Sequence, residues 1–129
     1  MSKVNITDGG RISEGFTAEH NDCTVRAFSV AFNVSYLEAH YLFKQFGRKD
    51  RKGMSVTMLS VILGSKGVNL VQGKVEDGTY MLKYFIESHP VGTYYMVKRK
   101  HAFVVKDGVV WDMKSVGGRS QVLYYAKVA

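Results

Sequence analysis

The chain has one cysteine, one proline and one tryptophan, and each scarcity excludes something. A single cysteine, Cys23, cannot form an internal disulfide, and a free thiol survives best in a reducing compartment, so a cytoplasmic location is expected. One cysteine and four histidines without ligand spacing exclude the usual zinc-finger frameworks, so no metal and no cofactor is expected. No apolar run approaches the ~18 residues that a membrane helix needs, and the first twenty residues lack the apolar stretch of a signal peptide. No Ser/Gly-rich linker, repeat or low-complexity tract interrupts the chain. Residues 1–129 therefore read as a single domain. Gly117-Gly118 is not followed by the lysine and helix of a phosphate-binding loop.

What is present is a globular composition, with 46% hydrophobic and 22% charged residues, and a formal charge of +7. Such a balance favours acidic partners. Part of the charge is clustered, in Arg48-Lys49-Asp50-Arg51-Lys52 and in Lys98-Arg99-Lys100. Short basic runs are most often solvated loops, and no nucleic-acid motif accompanies these. The tyrosine pairs Tyr94-Tyr95 and Tyr124-Tyr125 fit ordinary sheet composition, one of each pair facing the core.

Residues 1–20 show little periodicity and read as mostly irregular. A helix is expected from Asp22 to Asn33 with Asn21 as its N-cap. Asp22, Arg26, Ser29 and Asn33 form its polar stripe and apolar residues fill the rest, so it should be a central helix. A capping box, Ser35 with Glu38, opens a second helix that runs through Phe46 to Gly47. A third spans Ser55 to Leu63. A short strand is expected from Val68 to Val75, and a fourth helix capped by Asp77 or Thr79 and broken at His89-Pro90. The last third is rich in β-branched and aromatic residues, with strands expected at 93–97, 102–105, 109–113 and 121–128. Helices followed by an antiparallel sheet is an α+β organisation.

Two features carry chemistry. Cys23 stands at a helix start, where unpaired N–H groups and the helix dipole favour a thiolate. Downstream, Asp107-Gly108 is a strong two-residue hairpin turn. That turn sets Lys106 opposite Val109 and Phe103 opposite Asp112. His101, Phe103, Val105 and Asp112 then share one face, with His101 and Asp112 as diagonal neighbours within side-chain reach. A carboxylate so placed can hold an imidazole in one tautomer. A register slip of one residue would separate them. Asp107 is the competing acid, but the turn uses it. The other histidines read as bystanders: His20 in a loop, His40 at a helix surface or boundary, His89 structural in a turn.

Asn21-Asp22-Cys23, His101-Ala102-Phe103-Val104-Val105 and the following Asp112 resemble the motifs of papain-like cysteine peptidases, in particular small phage and bacterial members related to bacteriocin-processing peptidases. The resemblance implies a central cysteine-bearing helix packed on a C-terminal antiparallel sheet. It implies Cys23 as nucleophile, His101 as general base and then acid, and Asp112 as the orienting group. The family often has a glutamine about six residues before the cysteine. Thr17 stands there, and Asn21 is the substitute oxyanion donor. The implied function is hydrolysis of a peptide, isopeptide or related acyl bond, as in a phage effector acting in a host cytoplasm. The alternative expectation is an inert protein of the same fold. It would hold an anionic ligand, nucleotide or acidic partner in a cleft ringed by Lys98, Arg99 and Lys100. Direct nucleic-acid binding is a third option.

Overall fold

A computed structural model describes residues 3–73 and 80–129. Its elements are β1 (Lys3–Ile6), α1 (Cys23–Phe32), α2 (Tyr36–Gln45), α3 (Val56–Gly64), β2 (Val71–Gln72), α4 (Leu82–Ser88), β3 (Thr93–Lys98), β4 (His101–Lys106), β5 (Val109–Asp112) and β6 (Tyr124–Lys127). The strands form one sheet in the order β1-β5-β4-β3-β6-β2. The fold is α+β.

The sheet is mixed rather than purely antiparallel. β1 lies parallel to β5, with Lys3 beside Val109 and Ile6 beside Asp112. This strand falls in the segment expected to be irregular. It is only four residues long, and its pairing partner lies more than a hundred residues away, so no local pattern announces it. The rest of the N-terminal segment wraps α1. Gly9 O accepts from Ser29 Oγ, and Glu14 accepts from the backbone N–H of Tyr36. Asp22, Arg26 and Ser29 of the polar stripe are therefore covered by chain, and Asn33 at its end stays exposed.

Three layers result. Val25, Phe28, Phe43, Leu59 and Ile62 from α1–α3 pack with Tyr95, Val97, Ala102 and Val104 on one sheet face. Leu82 and Phe85 of α4 pack with Tyr94, Met96, Phe103, Val105 and Val110 on the other. Because both faces are covered, β3 and β4 each hold four consecutive buried residues. Tyr94 and Tyr95 are accordingly both buried, correcting the expectation of one core and one surface residue.

Local signals place most boundaries. Ser35 accepts a hydrogen bond from Glu38 N, Ser55 one from Met58 N, and Gly47 follows α2 at φ 101°. The hairpin register is the expected one, with Lys106 opposite Val109 and Val104 opposite Trp111. Asp107 and Gly108 take φ of 47° and 79°, and the Asp107 side chain accepts from Gly92 N. The expected strand at 68–75 is only Val71–Gln72 within the described residues, and Val75, Asp77 and Thr79 lie outside them. In the described part α4 begins at Leu82, after Met81.

Gly73 is fixed by packing. A Cβ there would stand 2.7 Å from the carbonyl oxygen of Val122, and Gly73 N donates to Leu123 O. Gly73→Ala must push β2 off β6. The expected result is a loss of about 1–3 kcal/mol, as for other forced close contacts, read as a lower urea midpoint at unchanged slope.

Candidate active site

The start of α1 departs from the expected cap. Asn21 is not the N-cap. It sits in the left-handed region at φ 53°, and its side-chain amide donates to Arg51 O at 3.1 Å. Asp22 holds the N-cap position but makes no side-chain cap bond. Its carboxylate is spent elsewhere, at 1% exposure. Oδ1 accepts from Arg11 at 3.1 Å and from Arg26 Nε at 3.0 Å, and Oδ2 from the Tyr36 hydroxyl at 2.8 Å. Burial, together with the hydrogen bond to Asp22, raises the Tyr36 hydroxyl well above its ordinary pKa. A carboxylate capping the helix would place negative charge beside the sulfur of Cys23. Turning it inward leaves the first-turn N–H groups free to favour an anion at that sulfur.

His101 opens β4 and Asp112 closes β5. The shared hairpin brings His101 Nε2 to 2.5 Å from Asp112 Oδ2. His101 and Cys23 line the same cavity, close enough for each to shift the other's proton affinity, and the bond to Asp112 leaves Nδ1 as the nitrogen not engaged by the carboxylate. Asp112 is held in turn: Oδ1 accepts from Met113 N at 2.7 Å and lies 3.5 Å from Arg26 Nη1. Arg26 thus joins Asp22 to Asp112 and ties the cysteine-bearing helix to the acid on the sheet.

The electrostatics follow from these contacts. Burial alone would raise the Cys23 thiol. The hydrogen bond from His101, the N–H of Ala102, and the charges on His101 and Arg26 outweigh it, so the thiol lies below its ordinary value. The hydrogen bonds to Asp112 and to Cys23 raise His101 to about 9, against the opposing effect of burial. Both shifts favour a thiolate beside an imidazolium.

A cavity of about 350 Å³ opens beside the sulfur. Met54, Val56, Leu59, Val97 and Ala102 form its apolar walls, and Asn21, Lys98, Lys100 and His101 also line it. Of the three expected basic ligands, Lys98 and Lys100 line this cavity and Arg99, an exposed turn residue, does not. A larger cavity, near 700 Å³, lies between α4 and the β4–β5 turn, remote from Cys23.

Sequence reasoning found Cys23, His101 and Asp112, and the structure brings the three together. It missed Arg26 and the inward role of Asp22. The signal for both was present, an acid and a base four residues apart at a helix start. It also placed His40 at the surface or boundary, whereas His40 is buried at 4% exposure. Its ring lies 3.7 Å from Glu19 and 3.6 Å from Asp50, and burial lowers its pKa. The ligand atoms of Glu19, His40 and Asp50 lie within 4.8 Å of one another, a convergence that spacing did not reveal. Arg48 pairs with Glu19 at 2.9 Å and Lys44 with Asp50 at 3.4 Å, so cations already answer both carboxylates. Glu19 also accepts from Arg51 N, which fastens the loop bearing the first basic run. His20 is exposed, and His89 ends α4 with Nδ1 against Phe85 O.

No helix among the described residues is long and apolar enough to cross a membrane. Comparison with protein-family models, with curated proteins and with solved structures returned no match in any of the three.

Proposed function

We propose that this chain is a papain-like cysteine hydrolase that cleaves a peptide, isopeptide or related acyl bond. The observation that carries the reading is the His101 ring hydrogen-bonded to Asp112 at the mouth of the cavity that Cys23 also lines. The Cys23 thiolate attacks the acyl carbon and the carbonyl oxygen takes up the charge. The backbone N–H of Cys23 and the second amide hydrogen of Asn21 are the donors for that oxygen. As the tetrahedral species collapses, the C–N bond breaks and Nδ1–H of His101 gives its proton to the leaving amine. The acyl group remains as a thioester on Cys23. Water then attacks it, His101 takes one water proton, and the carboxylic acid departs as the thiolate re-forms. Asp112 keeps Nε2 protonated and Nδ1 aimed at the sulfur throughout.

The pH dependence has a definite sign. A lowered thiol pKa means that the nucleophile is present at neutral pH. A histidine raised to about 9 keeps its proton after the thiol has lost its own. Acyl transfer is therefore bell-shaped, rising through the depressed thiol pKa and falling near pH 9 as the proton donor is lost. Iodoacetamide alkylation, which needs only the thiolate, should rise with a midpoint below the ~8.5 of a free cysteine. A midpoint at or above that value would remove the nucleophile from the reading.

A second reading has Lys98 and Lys100 on the cavity in its favour: an inert domain of the same fold holding an anion. It predicts that Cys23→Ala retains ligand binding while Lys98→Gln with Lys100→Gln loses it.

A further inference from the structure

The two basic runs are some fifty residues apart in sequence, yet both approach the same cleft. Lys98 and Lys100 line the cavity beside Cys23. Gly53 and Met54, which follow directly on Arg51-Lys52, line it too. The Asn21 amide fixes Arg51 there through its carbonyl, and Glu19 fixes its N–H. Arg51, Lys52 and Lys100 are exposed. Among the described residues, none of the four is ion-paired with a carboxylate; Lys98 Nζ meets only the hydroxyl of Ser120. Among the described residues, none that lines the cavity is acidic. Asp50, inside the first run, pairs with Lys44, and Glu19, which accepts from Arg51 N, pairs with Arg48.

Between these rims the walls are aliphatic. The volume is at the small end for a ligand pocket and ample for a side chain of leucine or methionine size. Among the described residues, His101 is the one aromatic ring that lines it, so it lacks the successive aromatic faces of a single-strand nucleic-acid groove.

We infer that the cleft takes an acidic polypeptide segment, with an apolar side chain in the cavity beside the scissile acyl group and Asp or Glu side chains against the two basic rims. This rests on Cys23 acting as the nucleophile. It adds the substrate class and assigns Arg51, Lys52, Lys98 and Lys100 as specificity-determining residues. The aliphatic walls select the residue, and the rims select its neighbours by charge and speed the encounter.

The test uses two peptidyl fluoromethyl ketones, acetyl-Glu-Glu-Leu and acetyl-Lys-Lys-Leu, with inactivation followed by mass at Cys23. Each rate is divided by the iodoacetamide rate of the same protein. At low salt the acidic probe should react about tenfold faster or more, a ratio that falls toward one in high salt as screening shortens the reach of the rims. The Arg51→Gln, Lys98→Gln, Lys100→Gln triple variant should lose most of that preference. Equal rates in the wild-type chain, with Cys23 still titrating low toward iodoacetamide, overturn the substrate class and leave the nucleophile standing. An ordinary Cys23 titration overturns both. Stronger protection of Cys23 by a dT12 oligonucleotide than by an octaglutamate peptide also overturns the inference, in favour of nucleic acid. The salt dependence needs no variant, so a triple variant that folds poorly does not block the test.

Discussion

If Cys23 is the proposed nucleophile, His101→Ala should slow acyl transfer by about 10²- to 10⁴-fold, the range for loss of a positioned general acid–base group. Its effect on the thiol is separable. In the wild-type chain the imidazole supplies the largest influence lowering the Cys23 pKa, and burial is left to oppose ionisation once the ring is gone. The thiol should then move up toward its ordinary range, with only the Ala102 N–H and Arg26 left to favour the thiolate. Iodoacetamide alkylation below neutral pH should fall, and its midpoint should shift to higher pH. Both readouts should move together. Loss of transfer with an unmoved alkylation profile would mean that His101 acts on substrate and not on Cys23. Asp112→Asn is the graded companion. It keeps a hydrogen-bonding group on Nε2 and removes the charge, so the alkaline limb near pH 9 should shift to lower pH.

Asp22→Ala should be the most destabilising single change near the site. The carboxylate is almost wholly buried and serves two guanidinium groups and a tyrosine hydroxyl. Removing it leaves Arg11 and Arg26, each little exposed, as like charges without their common partner. Breaking one side of a buried ion pair costs about 3–5 kcal/mol. For a chain of this size that lowers Tm by roughly 10 °C or more. Tyr36→Phe removes a single hydrogen bond and should cost about 1 kcal/mol. Thermal unfolding of both variants checks the ranking. Near-equal values would mean that the arginines find other partners and that the network is peripheral. Asp22→Asn keeps the shape and loses the charge, so it should fall between the two.

The parts of the molecule legible in the sequence are those specified locally. Ser35 and Ser55 announce their helices because an N-cap acts within one turn. The adjacency of His101 and Asp112 follows from one turn dipeptide, because a two-residue hairpin fixes register along both strands. Cys23 at a helix start is legible for the same reason. What stayed hidden depends on closure between distant segments. β1 needs β5 as its partner, and nothing in four residues names it. Asp22 looked like one member of a helix stripe because Arg11 and Tyr36 reach it only after the N-terminal segment folds over α1. His40 looked like a boundary residue until Glu19 and Asp50 enclosed it. The meeting of the two basic runs at one cleft is of this kind too. A charge run read alone is a solvated loop, and only tertiary structure gives two runs a common address.

The split of the site across the chain has a consequence during biosynthesis. Cys23 leaves the ribosome early, and His101 follows 78 residues later. At about 5–20 residues per second, that interval is roughly 4–16 s. Throughout it the thiol has neither its imidazole nor Asp112, whose strand also seats β1. A nascent chain therefore carries an ordinary cysteine past the other proteins being made around it. On the proposed reading, reactivity would arrive only when the C-terminal hairpin docks against the cysteine helix, and the order of translation would itself act as a safety catch.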